Sequence, residues 1–465
     1  MGRMGWDAVV ERFVKRSPLT VMAHVTLRRA LAAAWLDAVF AQHAERQYVR
    51  SLLFSTVVDL MASVTFGFRP SIHAAVKAVG DTLPVSLTAL YDKINRTEPT
   101  VVRALVREGA QRLAGVLGAL AGVRRAGVAG YAVRIVDGNH LPATEKRLKA
   151  LRGLRGAALP GHTLVVYDPQ LALAVDIVPC EDAHAQERSL TAALLAGVEP
   201  GQLWVADRNF STTRLFEGLA DRGAVFIVRK HGRSPTVVEH GPLRRVGRTA
   251  TGTVYEQRVA ITRTDGGTLP LRQICVELHE PTRDGDTRLV LLTSVPAARM
   301  TAVAIAEQYR GRWTIEGMFG ELEAALAGEL RTLGQPKAAL FAFGLAVLAF
   351  NVLQVVRRAV EAAHTADGAV PAVSSYLVAV EIRATYQGFA IAVDGADWAR
   401  WDALGDQRFA AALRQMAAGL NLASVRKSRR APKRRVPKGY VARSIAQRHH
   451  STARLIAAAR ARKTP

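Results

Sequence analysis

Tyr131-Ala132-Val133-Arg134-Ile135-Val136-Asp137-Gly138-Asn139 is where this chain changes period. Upstream, residues 1 to about 125 carry long runs of Ala, Leu, Val and Arg broken at Gly or Pro, a helical pattern. Downstream, short apolar runs alternate with helical ones. Tyr131 to Val136 reads as a strand ending in Asp137. Thr163 to Tyr167 and Leu171 to Val178 read as two strands joined at Asp168-Pro169. Glu187 to Leu195 is helical, Gln202 to Ala206 is a strand ending in Asp207, Thr212 to Arg222 is a helix, and Ala224 to Val228 is another strand. Three strands, a helix, a strand, a helix and a strand make an α/β order.

Working outward, residues 231 to 294 alternate Val, Thr and Arg, with turn signals at Asp265-Gly266-Gly267 and Arg283-Asp284-Gly285-Asp286. They predict an all-β insertion of several short strands. A long helix is expected from about Thr301 to Leu326, and a second, strongly apolar one from Ala338 to Val356. Asn351 and Gln354 lie inside that apolar run, which reads as a buried helix rather than a membrane span. Residues 370 to 424 read as helical. Among the N-terminal helices, Ile72 to Val79, the turn at Gly80 and Ser86 to Ile94 fit two readings. One is an ordinary helical hairpin. The other is a helix-turn-helix showing Ser86, Thr88, Lys93, Asn95 and Arg96 to a groove.

The chain has 465 residues, enough for two to four domains. Its net charge of +24 implies a polyanionic partner, with nucleic acid the default and an acidic membrane surface the weaker alternative. Two cysteines, Cys180 and Cys275, make neither a disulfide framework nor a cysteine zinc site, which fits a reducing cytoplasm. The N-terminus lacks the apolar core of a signal peptide. The charge is uneven, since no acidic residue follows Asp406 and sixteen Lys and Arg do. Arg426, Lys427, Arg429, Arg430, Lys433, Arg434, Arg435 and Lys438 form a polybasic run interrupted by Pro432 and Pro437. An extended arm of this kind neutralises phosphates and releases counterions.

Three carboxylates carry chemistry. Asp137 and Asp207 end apolar strands, each beside a polar turn. Tyr309, Arg312, Glu316 and Glu323 fall within roughly 60° of one another on a helix turning about 100° per residue. Trp313 and Phe319 fall elsewhere and are expected to anchor that helix. Two strand-end aspartates and a helix glutamate form the oxygen-ligand set for two Mg²⁺ or Mn²⁺ ions. Two such ions clamp the attacking and leaving oxygens of an in-line phosphoryl displacement.

These residues resemble the DDE transposases of bacterial insertion sequences, specifically the insertion-sequence-four family with its Y-x2-R-x3-E-x6-K signature. Tyr309, Arg312 and Glu316 match in type and spacing, whereas Glu323 stands where the pattern has lysine. Val136-Asp137-Gly138 and Ala206-Asp207-Arg208-Asn209-Phe210 resemble the two aspartate motifs, and Ala349-Phe350-Asn351-Val352-Leu353 resembles the helix that follows the signature. His450-Ser451-Thr452-Ala453-Arg454-Leu455 is similar to a tail motif of some members.

The resemblance implies an α/β, ribonuclease-H-like catalytic domain interrupted by the all-β insertion and flanked by helical N- and C-terminal regions. The expected divisions are a helical DNA-end-binding domain at 1–125, the catalytic core at 126–230 and 295–360, and the insertion at 231–294. A helical region at 361–424 and the basic tail at 425–465 follow. Asp137, Asp207 and Glu316 would be catalytic and hold the two ions. Tyr309, Arg312, Trp313, Lys230 and the basic run would contact double-stranded DNA. The resemblance further implies a cytoplasmic protein that binds element ends and target DNA as a homodimer and cuts and rejoins strands through hairpins. A metal-dependent nuclease of the same fold, or an inert, domesticated DNA-binding relative, are the alternatives. In place of the missing lysine, Arg312, Lys230 or Arg331 would supply positive charge, and Glu323 is expected to pair with Arg312 or Arg331.

Overall fold

A computed structural model describes residues 8–47, 51–80, 83–120, 128, 130–282, 285–325, 333–366, 368–393, 398–428 and 449–462. Helices come first, as the composition requires: α1 (Ala8–Arg16), α2 (Pro18–Ala30), α3 (Ala33–His43), α4 (Phe54–Thr65), α5 (Ile72–Val79), α6 (Leu87–Arg96) and α7 (Pro99–Leu120). Ser71 and Ser86 cap α5 and α6 through their side-chain oxygens. The Lys93 ammonium of α6 lies 3.9 Å from the centroid of the Phe40 ring.

Strands β1 (Ala132–His140), β2 (Ala157–Leu159), β3 (His162–Asp168), β4 (Leu173–Cys180), β5 (Gln202–Ala206) and β6 (Val225–Arg229) follow, with α8 (Thr191–Leu195) and α9 (Thr213–Ala220) between the later ones. β7 (Val237–Thr249), β8 (Gly252–Thr262), β9 (Thr268–Leu278) and β10 (Arg288–Thr293) complete one nine-stranded sheet of order β4-β3-β1-β5-β6-β10-β9-β8-β7. β3 and β4 are an antiparallel hairpin beside β1, and β1, β5 and β6 run parallel. This mixed arrangement is compatible with a ribonuclease-H-like domain. The strands expected over 231–294 form, but three are 11 to 13 residues long, and β10 joins them to the central sheet by pairing antiparallel with β6.

Alternation along the strands sets the two faces. Val133, Ile135, Val205 and Ile227 face the larger core with α7, and Val136, Trp204, Ala206 and Val228 face a smaller one with α8 and α9. Asp137 follows Val136 and so returns to the larger-core side. There α10 (Ala302–Arg310), α11 (Thr314–Ala325) and α12 (Pro336–Ala363) pack. α12 is long and apolar enough to cross a membrane, and its most apolar stretch is wholly enclosed by the fold, as its Asn351 and Gln354 require. Asn351 clasps β4. Its Nδ2 donates to the Ala174 carbonyl at 2.8 Å, and its Oδ1 accepts from the Ala174 amide at 3.0 Å. Asn351→Leu leaves both buried backbone groups unpaired and is expected to destabilise the protein by about 2 kcal/mol. A chemical-denaturation midpoint checks this, and an unchanged midpoint would remove the clasp from the account.

α13 (Ser375–Ala392), α14 (Ala399–Asp402) and α15 (Asp406–Ala418) form the helical region after α12. The basic tail is not uniformly extended. Residues 449–462 return to the sheet-bearing part of the fold as β11 (His449–Ser451), parallel to β2, and α16 (Thr452–Ala461). Ser451 and Arg454 both bond the Asp182 carboxylate, at 2.7 and 2.8 Å.

Candidate active site

The site sits at the carboxyl ends of the parallel strands, where an α/β sheet opens toward ligands. Val136 pairs with Ala206, and Ala206 with Val228. Asp137, Asp207 and Arg229 are the residues that follow these three, each one step past the last paired row. β1 does not stop at Asp137 as its sequence suggests. It runs on to His140 because its other edge stays paired with β3, Asp137 facing Val165. Asp207 instead leaves the sheet and caps a 3₁₀ turn at Arg208–Phe210, accepting from the Asn209 amide at 2.8 Å.

The helix expected from 301 to 326 is broken. α10 ends at Arg310, Gly311–Trp313 is a 3₁₀ turn, and α11 restarts at Thr314. Glycine is a weak helix former, and the tighter turn re-aims the side chains that follow it. Arg312 turns inward, its side chain only 10% exposed. Its Nη1 donates to Asp137 Oδ2 at 2.9 Å and its Nη2 to Glu316 Oε1 at 3.3 Å. Tyr309 is buried and hydrogen-bonded with Arg312. Trp313 does not anchor the helix, being 63% exposed, with the Arg312 guanidinium 5.5 Å from its ring centroid. Ile315, Met318 and Leu322 anchor α11 instead, with Phe319 half-buried beside them.

Tyr309, Arg312, Glu316 and Asp137 are thus brought together, with Asp207 close enough to act on them electrostatically. Burial pushes the Asp137 carboxyl up to about 6. Arg312 pulls it down, Asp207 and Glu316 push it up, and the Gly138 amide, donating to Oδ1 at 3.0 Å, pulls it down. A fourth carboxylate, Glu187, joins them. It opens a 3₁₀ turn at Glu187–Leu190 that packs on the Arg208–Phe210 turn. Burial pushes it up to about 7, Asp207 and Asp137 reinforce the rise, and a hydrogen bond with Asn209 opposes it. Nothing in the periodicity singled Glu187 out. The signal was Gly138, a glycine inside a strand, which marks close approach by another group.

Other expected contacts lie elsewhere. Lys230 follows β6, where its amide donates to the Val290 carbonyl and its charge is felt at Cys275 of β9. Glu323 is exposed and, among the described residues, makes no ion pair. Arg312 is committed to Asp137 and Glu316, and Arg331 lies outside the described residues. Arg426 and Lys427 are exposed beside 372–373. Arg429, Arg430, Lys433, Arg434, Arg435 and Lys438 lie outside the described residues.

Asp137 and Asp207 on adjacent strands and Glu316 on a packed helix thus stand around one buried guanidinium, that of Arg312. Residues 129–352 match the transposase DDE domain family. The match supports a DDE transposase, a class whose domain implies metal-dependent phosphoryl transfer on DNA. Asp137, Asp207 and Glu316 all fall inside it, as do the whole parallel core of the sheet and α10 and α11. No curated protein matches this chain.

For a DDE domain the test is whether the side chains suit a divalent cation. Among the described residues, no three His, Cys, Asp or Glu side chains are grouped closely enough to hold one ion as they stand. Arg312 accounts for part of this, since its guanidinium lies between Asp137 and Glu316. The donor chemistry fits. All the available ligands are carboxylate oxygens, which Mg²⁺ and Mn²⁺ prefer; Asp207 and Glu316 help to raise Asp137, Asp207 and Asp137 help to raise Glu187, and a cation relieves such repulsion.

Proposed function

We propose that this protein is a transposase that binds the ends of an insertion sequence as a dimer and cuts and rejoins DNA strands by metal-dependent phosphoryl transfer. The observation that carries the reading is the pairing of Val136 with Ala206, after which Asp137 and Asp207 follow on adjacent strands, with Arg312 and Glu316 closing on Asp137 from α11 and the turn before it. Asp137, Asp207 and Glu316 would hold the divalent cations, which supply Lewis-acid stabilisation of the reacting phosphate when bound. Tyr309 fixes Arg312 from below. Arg312 is the buried cation able to exchange a carboxylate for a phosphate, since its planar fork suits either. The sheet beyond β6 and the exposed Trp313 extend the same face toward DNA. Hairpin formation on the second strand and action in the bacterial cytoplasm belong to the same proposal.

The test is cleavage of a duplex carrying the inverted repeats that flank the coding sequence, in Mg²⁺ and in EDTA. Metal-dependent nicking at the repeat boundary followed by joining to a second duplex supports the reading. Nicking without joining supports a nuclease, and binding without nicking supports an inert relative.

The basic run should supply non-specific affinity. Deleting 425–465 would also remove β11 and α16, so neutralising the eight cations from Arg426 to Lys438 is the cleaner change. The slope of log K against log salt is expected to become shallower by roughly 0.9 for each phosphate that the protein no longer neutralises. An unchanged slope would make the run a bystander.

Glu323 is exposed on the helix that carries Glu316, about 10 Å along it at 1.5 Å per residue. With no ion pair to break among the described residues, Glu323→Lys is expected to tighten binding to repeat DNA by about 1–2 kcal/mol without loss of thermal stability. A loss of stability would show that Glu323 is paired in solution.

A further inference from the structure

We propose that Glu187 is a fourth carboxylate ligand of the cation site, reaching it through the opening that Gly138 leaves in the sheet. The inference rests on the phosphoryl-transfer reading above and adds to it a residue that the Asp137, Asp207 and Glu316 set does not include.

Three observations converge. By strand alternation, Asp137 points to the larger-core side of β1, and position 138 points to the other side, where α8 and its preceding 3₁₀ turn lie. A side chain at 138 would fill that space. A Cβ built on Gly138 collides with Glu187 Oε1 and comes within 2.8 Å of its Cδ. The carboxylate thus occupies the volume a residue at 138 would take, flush against the backbone that carries Asp137. Second, Glu187 Oε2 is buried and, among the described residues, accepts no hydrogen bond. A carboxylate kept for structure would have its lone pairs satisfied, as Asp168 does through Arg134 and the amides of Gln170 and Leu171. Third, the neighbours are wrong for a structural anion. Asp207 and Asp137 are the charges Glu187 feels most strongly, and both repel it. A cation between them relieves the repulsion and satisfies the free oxygen at once, and oxygen-only donors select a hard divalent one. Arg312 serves Asp137 and Glu316 from the opposite face of the sheet, and among the described residues Glu187 makes no ion pair.

The experiment is Mn²⁺ binding to the full-length protein without DNA, read from the electron paramagnetic resonance signal of free Mn²⁺, for wild type, Glu187→Gln and Asp137→Asn. Glu187→Gln keeps shape and removes charge. It is expected to weaken Mn²⁺ binding by at least about tenfold, the loss that even an outer partner of a metal ligand produces. Its circular dichroism spectrum should stay that of wild type. Binding lost in Asp137→Asn but unchanged in Glu187→Gln overturns the assignment of Glu187 and leaves the phosphoryl-transfer reading standing. A wild-type protein that takes up no Mn²⁺, or one whose uptake Asp137→Asn leaves untouched, overturns both. Should Glu187→Gln misfold, Gly138→Ala decides in its place. Its methyl displaces only the flexible end of Glu187, so it must weaken Mn²⁺ binding too, and wild-type affinity in that variant overturns the proposal.

Discussion

Asp137→Ala, Asp207→Ala and Glu316→Ala are each expected to lower strand cleavage at least about a thousandfold while leaving DNA binding within a few-fold of wild type. The size follows from position. Asp137 and Asp207 follow the paired residues Val136 and Ala206 on adjacent strands, one held within β1 and the other capping a turn, so neither can be replaced by a shift of the other. Glu316 comes from α11 and is 44% exposed, free to turn from Arg312 toward a bound phosphate. Binding survives because removing an acidic residue removes repulsion for DNA. Gel shift and a nicking assay on the same preparations separate the two effects. Cleavage near the wild-type rate by any one variant takes that residue out of the centre. A parallel loss of binding would mean that the substitution had disturbed the fold.

The aspartates were legible because an apolar run that stops at a carboxylate is a local signal. β5 ends as read, at Ala206. β1 runs three residues past Asp137, because strand length depends on the partner edge, here β3, which no local pattern reports. Arg312 and Glu316 were legible as a spaced pair, and their pairing survived the break at Gly311 because i and i+4 span the join. Trp313 was misplaced for the same reason: counting 100° per residue through a 3₁₀ turn puts the indole on the wrong side. The partner of Glu323 failed because Asp137, 175 residues away in sequence, competes for Arg312, and only the folded sheet shows that competition. Glu187 could not be read from periodicity at all. It lies in a short turn between elements, and its role depends on the glycine it covers. Residues 449–462 were placed in the basic tail by charge, and their docking depends on Asp182, whose carboxylate takes both Ser451 and Arg454.

Arg312→Ala is expected to destabilise the metal-free protein by about 2–3 kcal/mol. Breaking a buried ion pair from one side typically costs about 3–5 kcal/mol, and the exposure of Glu316 discounts that figure. Arg312 is the cation bonded to both Asp137 and Glu316, so its loss strands two carboxylates near Asp207 and Glu187. Arg312→Lys should recover only part of the loss, since one ammonium cannot hold two carboxylates in the geometry of a guanidinium fork. If the cation site is where the carboxylates indicate, millimolar Mn²⁺ should raise the melting temperature of Arg312→Ala more than that of wild type. In the variant nothing competes with the ion for Asp137. In wild type the ion must first displace a bound guanidinium, and its binding energy is reduced by that exchange. Melting curves of both proteins with EDTA and with Mn²⁺ decide the matter. An equal Mn²⁺ shift in the two would mean that Arg312 and the ion occupy different places, and that the guanidinium holds α11 to the sheet without guarding the site.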